Sequence, residues 1–238
     1  MPNYYPIMLD VRGRRVVVIG GDRLAAERAQ TFAACGARVC VIAPEWCAEL
    51  ERVARELGEQ LELRPRPYRP GDLEGAFVVI ATTREPTLVE AVWREAQERG
   101  QLLNIVDLPE RCNFITPSIL RRDPLTVAVS TEGVSPGLAK LIRQELEQHF
   151  SHAYGALLRL AAEARALLRT QGVAYEQRDA FFQEFYRSAV LAHLEAGAEA
   201  EARALTAELL GKYGVTVPPS VGEAEAGASA ADERSLAS

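Results

Sequence analysis

The feature that most constrains this chain is a pattern repeated through its first 110 residues: a short apolar run, a glycine or proline break, then a stretch with helical spacing. Arg15-Val-Val-Val-Ile19 ends at Gly20-Gly21 and is followed by a helical segment from Leu24 to Cys35, with Gly36 as its stop. Arg38-Val-Cys-Val-Ile42 closes at Ala43-Pro44 and precedes a second helical segment, Glu49 to Leu57, stopped by Gly58. Leu61–Arg64 reads as a short strand and Phe77–Ala81 as another. A helix from Pro86 to Arg99 then precedes the strand Leu102–Val106. Short unbroken β-branched runs mark strands buried on both faces. Strands alternating with helices at this spacing predict right-handed βαβ units and a parallel sheet, hence a Rossmann-like α/β domain over residues 1–110.

Beyond it the pattern changes. Residues 107–130 contain Pro109, Pro117 and Pro124 and one good strand, Leu125–Ser130. Ser135-Pro136 places a cap and an N1 proline before a helix that runs to His149. This segment, 111–150, carries more apolar residues than one small layer hides, which predicts a two-fold interface and a homodimer. Residues 151–214 are rich in Ala, Leu, Glu and Arg, with Leu157, Leu160, Ala161, Ala164 and Leu168 at helical spacing; two or three packed helices are expected, broken near Gly172. Residues 215–238 lack any period and predict a disordered tail.

Composition narrows the class. The chain has 238 residues, 48% hydrophobic and 25% charged, with a formal net charge of −6. That charge argues against a general nucleic-acid binder. No apolar run is long enough to span a membrane, and Met1-Pro-Asn-Tyr-Tyr-Pro lacks the basic and apolar regions of a secretory leader, so a cytoplasmic location is expected. Cys35, Cys40, Cys47 and Cys112 form no CxxC pair, which suits reduced thiols rather than a disulfide framework or zinc site. His149 and His152 share a helical face but lack a third ligand, so no metal site is expected.

Three places carry chemistry-bearing residues. The first strand–helix junction reads Gly20-Gly21-Asp22-Arg23-Leu24-Ala25. It matches a dinucleotide turn in its first glycine and last small residue, with Asp22 at the middle position, where backbone approaches a pyrophosphate. A strand-to-helix turn in another doubly wound protein would read the same way. Glu45, just after Pro44, lies where an acidic residue meets a ribose hydroxyl, or is an exposed loop residue. Asp107 ends a parallel strand, where open α/β sheets bind ligands; it serves there as base, acid or metal ligand, or caps the next turn. In Ser130-Thr131-Glu132-Gly133-Val134-Ser135, hydroxyls precede a helix N-terminus and suit an anion, with helix capping by Ser135 the simpler role. Arg111, Arg121, Arg122, Lys140 and Arg143 form a concentration of cations that would steer an anionic ligand, or an ordinary solvated surface.

Together these pieces resemble the precorrin-2 dehydrogenase/sirohydrochlorin ferrochelatase family of sirohaem synthesis. The resemblance runs from Tyr5 to about Glu147. Tyr5–Asp10 looks like the family's opening strand, Val17–Gly21 like its cofactor turn, and Ala81-Thr82-Thr83 like its A-T-D/T element. The most specific series is Asn104-Ile-Val-Asp107, Pro109, Cys112-Asn-Phe114 and Pro117-Ser118-Ile119. It continues through Leu125–Thr131, Gly133, Ser135-Pro136, Leu138-Ala139 and Arg143. The resemblance implies an NAD-binding Rossmann domain, a central dimerisation segment and a C-terminal helical domain. The implied activity is oxidation of precorrin-2 to sirohydrochlorin with NAD⁺, to which some members add insertion of Fe²⁺ or Co²⁺. By the same resemblance, Asp107 is the catalytic residue. Gly20, Gly21, Asp22, Arg23, Leu24, Pro44, Glu45, Thr82 and Thr83 hold the cofactor. Asn104, Arg111, Ser130, Thr131, Ser135, Lys140 and Arg143 face a substrate bearing many carboxylates.

Two departures stand out. The family has a third glycine where this chain has Asp22, and Gly-Gly where it has Glu132-Gly133. A carboxylate about 5 Å from a pyrophosphate charge costs ~3 kcal/mol at an effective dielectric of 20, before screening. Asp22 therefore keeps two rivals open: a chelatase-like or tetrapyrrole-binding homologue that has lost NAD use, and a non-enzymatic Rossmann nucleotide sensor.

Overall fold

A computed structural model of the chain describes residues 4–218. The chain separates into two compact units. One comprises everything up to Pro117 together with Ser130–Pro136; the other comprises Ser118–Val129 and the chain from Gly137 onward.

The first unit runs β1 (Arg15–Ile19), α1 (Arg23–Ala34), β2 (Arg38–Ala43), α2 (Ala48–Leu57), β3 (Leu61–Pro65), β4 (Val78–Ala81), α3 (Pro86–Glu98) and β5 (Leu102–Ile105). Its five strands are parallel, in the order β3-β2-β1-β4-β5. The chain leaves β1 toward one edge and returns to β4 on the other side. The carboxyl ends of β1 and β4 therefore flank the point where strand order reverses, the place where such sheets bind ligands.

Alternation along the strands feeds two apolar layers. Val16, Val18, Val39, Val41 and Ile80 pack with Ala25, Ala29 and Ala33 of α1 and with Leu50 and Val53 of α2. Val17, Ile19, Ile42, Val79, Leu103 and Ile105 pack on the other face against Val89, Val92 and Ala96 of α3. The loop between β3 and β4 is locked by two buried carboxylates. Glu95 accepts from the Tyr68 hydroxyl, from the Gly71 and Leu73 amides at 2.9 and 3.2 Å, and from Arg99 at 3.0 Å. Asp72 takes a two-pronged grip from Arg66, at 2.7 and 2.6 Å, and the Arg69 amide at 2.7 Å.

In the second unit, β6 (Ser118–Arg122) and β7 (Leu125–Val129) form an antiparallel ribbon. The helices are α4 (Pro136–His149), α5 (Ala153–Thr170), α6 (Tyr175–Arg187), α7 (Val190–Glu195) and α8 (Glu199–Lys212). Leu157, Leu160, Ala161, Ala164 and Leu168 bury one stripe of α5 against Phe181, Phe182 and Phe185 of α6 and Leu209 and Leu210 of α8. Arg122 donates to the carbonyls of Phe150 and Glu147, satisfying the end of α4.

Four expectations need correction. Tyr5–Asp10 is not a strand: Pro6 lacks an amide donor, the Asp10 carboxylate turns onto Arg12, and Tyr5, Ile7 and Met8 are exposed. Four helices, not two or three, follow residue 151, because the chain breaks at Ser188 and Gly197 as well as Gly172. A second strand, β6, precedes the expected one; its polar end Arg121-Arg122 hides it from pattern reading. Residues 215 and 216, read as the start of a disordered tail, are held: Val215 is buried, and the Gln171 side chain brackets Thr216 at 2.7 and 2.9 Å. Residues 219–238 of that expected tail lie outside the described residues.

Candidate functional site

Gly20, φ +135°, ends β1 and donates its amide to Ile42 O at 3.1 Å. A Cβ there would meet Thr82 Oγ1 at 2.1 Å. A Cβ on Gly21 would meet Glu45 O at 2.0 Å and Trp46 Cα at 2.9 Å. The Gly21 carbonyl in turn accepts from the Cys47 amide at 2.8 Å. The turns after β1, β2 and β4 thus converge, and they bring Gly20, Gly21, Glu45 and Thr82 together, with Pro44 and Thr83 as direct chain neighbours. Both glycines are required by this close approach.

Whether a dinucleotide fits here turns on the polar groups that face the junction. Thr82 is buried, and its Oγ1 has no hydrogen-bond partner among the described residues. A buried hydroxyl without a partner is costly, and here it sits at the turn. The first amides of α1 need partners from outside the helix. Asp22 supplies one: it is the N-cap, and its carboxylate accepts from the Ala25 amide at 2.8 Å. Asp22 is therefore turned into the first helical turn instead of standing free in the loop. Arg23 is exposed and Leu24 half-buried. The residues fit a dinucleotide, with Asp22 occupying part of the helix terminus.

Asp107 stands two residues past β5, exposed, in the left-handed region at φ +62°. Arg84, three residues past β4, donates to its Oδ2 through Nε at 3.0 Å and also through Nη2. Sequence reading missed Arg84. The signal was available: β4 and β5 pair Ala81 with Ile105, so the residues just beyond each end face one another.

Other expected site residues have structural partners. Asn104 donates its amide to Phe114 O at 3.0 Å. Arg111 pairs with Glu90 at 2.7 Å and lies over the Trp93 ring at 4.3 Å. Ser130 Oγ accepts from the Glu132 amide at 3.0 Å, and Thr131 Oγ1 from the Ser135 amide at 3.1 Å. Glu132 and Gly133, both at positive φ, make the turn between them. Ser130, Thr131 and Ser135 belong to the first unit with Asp107. Lys140, exposed, and Arg143, paired with Glu147, belong to the second.

Beside β5, Asn113 completes the backbone pairing. Its Oδ1 accepts from the Leu103 amide and its Nδ2 donates to Gln101 O, each at 2.7 Å. Cys112 Sγ accepts from the Ile105 amide at 3.1 Å, and burial pushes its thiol pKa up, so this cysteine is an inert packing group. None of the four cysteines is in a disulfide among the described residues. Among the described residues no cluster of three His, Cys, Asp or Glu side chains could hold a metal, and no helix is long and apolar enough to cross a membrane.

Known proteins share this order of regions. An NAD(P)-binding family model matches residues 7–118, and the model of the sirohaem biosynthesis protein central region matches 122–149. In both regions the chain is similar to sirohaem biosynthesis proteins. Among its relatives, the siroheme synthase of Azotobacter vinelandii (strain DJ / ATCC BAA-1303) is 38% identical over 93% of this chain and 47% of its own length. That of Stutzerimonas stutzeri (strain A1501) is 37% identical over 92% and 46%. The chain thus spans about half the length of these relatives. A solved structure of SirC, a precorrin-2 dehydrogenase, superposes with a TM-score of 0.71 at 26% identity, covering 88% of this chain and all of that one. The Rossmann-like sheet and C-terminal helices are shared architecture.

Proposed function

We propose that this chain is an NAD⁺-dependent precorrin-2 dehydrogenase of sirohaem biosynthesis. One observation carries the reading: the Asp107 carboxylate stands at the carboxyl end of β5, one strand from the β1/β4 reversal where Gly20, Gly21 and Thr82 form a dinucleotide turn. Oxidising precorrin-2 to sirohydrochlorin removes a hydride and a proton. Bound NAD⁺ supplies the hydride acceptor. Asp107 takes the proton and passes it to solvent, so that NADH, H⁺ and sirohydrochlorin leave. Metal insertion, with Fe²⁺ or Co²⁺ as substrate, would draw on the same carboxylate, because metal entry displaces pyrrole protons.

Glu45 favours NAD⁺ over NADP⁺. It follows β2, its carbonyl touches Gly21, and its exposed carboxylate suits a ribose hydroxyl and repels a 2′-phosphate. A homodimer is supported by Ile119 of β6 and by Leu138 and Leu141 of α4, all exposed in the second unit. Four cysteines outside any disulfide suit a reducing, cytoplasmic setting. Anaerobic incubation with precorrin-2 and NAD⁺ tests the activity. The sirohydrochlorin spectrum is expected to grow with NADH. No product with either NAD⁺ or NADP⁺ overturns the reading.

A further inference from the structure

Asp107 and Arg84 are both well exposed, with side-chain accessibilities of 61% and 78%. Exposed ion pairs of that kind add little to stability, so the fold gains little from joining them. Their geometry is nonetheless specific. Arg84 directs two donors, Nε and Nη2, at one carboxylate oxygen, Oδ2, and no hydrogen bond from the described residues reaches Oδ1. Asp107 itself sits at φ +62°, a left-handed conformation that glycine adopts most freely and that Asp enters more readily than most other residues. The preceding strand is fixed: Asn113 and Cys112 hold Leu103 and Ile105. The side chain beyond that strand is otherwise free to turn.

We propose that Arg84 is the positioning residue for Asp107. It grips Oδ2, fixes the rotation of the carboxylate, and leaves Oδ1 as the oxygen that receives the proton from substrate. This role rests on the assignment of Asp107 as proton acceptor. It requires a donor at Arg84 with planar, two-pronged geometry, which lysine lacks. Since Arg84 touches neither of the cofactor-turn glycines, its removal acts on turnover and not on NAD⁺ affinity. Misplacing a catalytic group by about 1 Å costs on the order of a hundredfold, which sets the scale.

The test compares wild type, Arg84→Ala, Arg84→Lys, Asp107→Ala and the Arg84→Ala/Asp107→Ala double variant. Turnover of precorrin-2 and NAD⁺ affinity by protein fluorescence are measured for each. Arg84→Ala is expected to lower kcat about ten- to hundredfold with NAD⁺ affinity unchanged, and Arg84→Lys to restore only part of it. The double variant is expected to match Asp107→Ala, because a residue acting through another loses nothing further once that partner is gone. Multiplying losses in the double variant, or a kcat in Arg84→Ala equal to wild type, overturns the positioning role while the dehydrogenase reading stands. Lack of wild-type turnover, or an Asp107→Ala variant that turns over normally, removes the reading beneath it and the role with it.

Discussion

A methyl group on Gly21 would lie 2.0 Å from the Glu45 carbonyl oxygen, so the turn after β1 and the loop after β2 touch backbone to backbone. No side chain is there to swing aside. Gly21→Ala is therefore expected to cost about 3 kcal/mol of stability, the upper range for overpacking, and to weaken NAD⁺ binding by displacing Glu45. Denaturant unfolding and a cofactor titration check both; a variant of wild-type stability would mean that the two loops separate easily.

Asp22 has two opposed effects. Its carboxylate caps α1 at Ala25, and at the proposed cofactor site it would place negative charge beside a ligand carrying phosphates. Asp22→Gly is expected to lower stability by only a few tenths of a kcal/mol, as glycine caps do. It should also tighten NAD⁺ binding about tenfold, the Coulomb cost after screening of an exposed group. Unchanged affinity in a calorimetric titration would show that the cap keeps this carboxylate away from the pyrophosphate.

Asp107 separates backbone cost from chemistry. Asp107→Ala and Asp107→Gly should both lose turnover by about 10²–10⁴-fold. Yet Asp107→Gly should be about 1 kcal/mol more stable than Asp107→Ala, because φ +62° suits glycine. Equal stability in thermal unfolding would mean that the loop relaxes to an ordinary conformation.

Asp72 makes part of the stability depend on pH. The two-pronged hydrogen bond from Arg66, with the Arg69 amide, holds its carboxyl below the usual 3.8. A carboxyl lowered on folding contributes fully above its unfolded value and loses that contribution as pH falls through its folded value. Asp72→Asn is expected to cost about 2 kcal/mol near neutrality, with the gap from wild type closing below about pH 3.8. A gap unaffected by acid in denaturant unfolding would assign the loss to packing instead of charge.

The sheet was readable because each strand announces itself locally: Arg15–Ile19 and Arg38–Ala43 are apolar runs ended by glycine or proline, and the helices between them carry periodic alanines and leucines. Asp107 and the glycine turn were readable for a related reason, since both sit at strand ends. What stayed hidden depends on contacts between distant residues. Nothing local in the sequence singles out Arg84; strand register places it against Asp107. That Asn104 reaches Phe114 and Arg111 reaches Glu90 is likewise legible only once the strands are placed. Tyr5–Asp10 resembles the family's opening strand, but a resemblance cannot supply a neighbouring strand to pair with. Asp22 was read by its charge alone, and its role as a helix cap emerged only from the direction of its side chain.

The side-chain amide of Asn113 stands in for a peptide group along the outer side of β5. An edge strand with bare amides and carbonyls invites another chain to add to it, the first step of aggregation. By answering Leu103 and Gln101 with one side chain, and Ile105 with the neighbouring thiol, the chain closes that side of the sheet without a sixth strand. The opposite edge, β3, carries Glu62 and Arg64, and charge guards it. The Cys-Asn pair therefore serves solubility: an alanine at Asn113 would leave the chemistry at Asp107 its residues, while exposing an apolar sheet to its own copies.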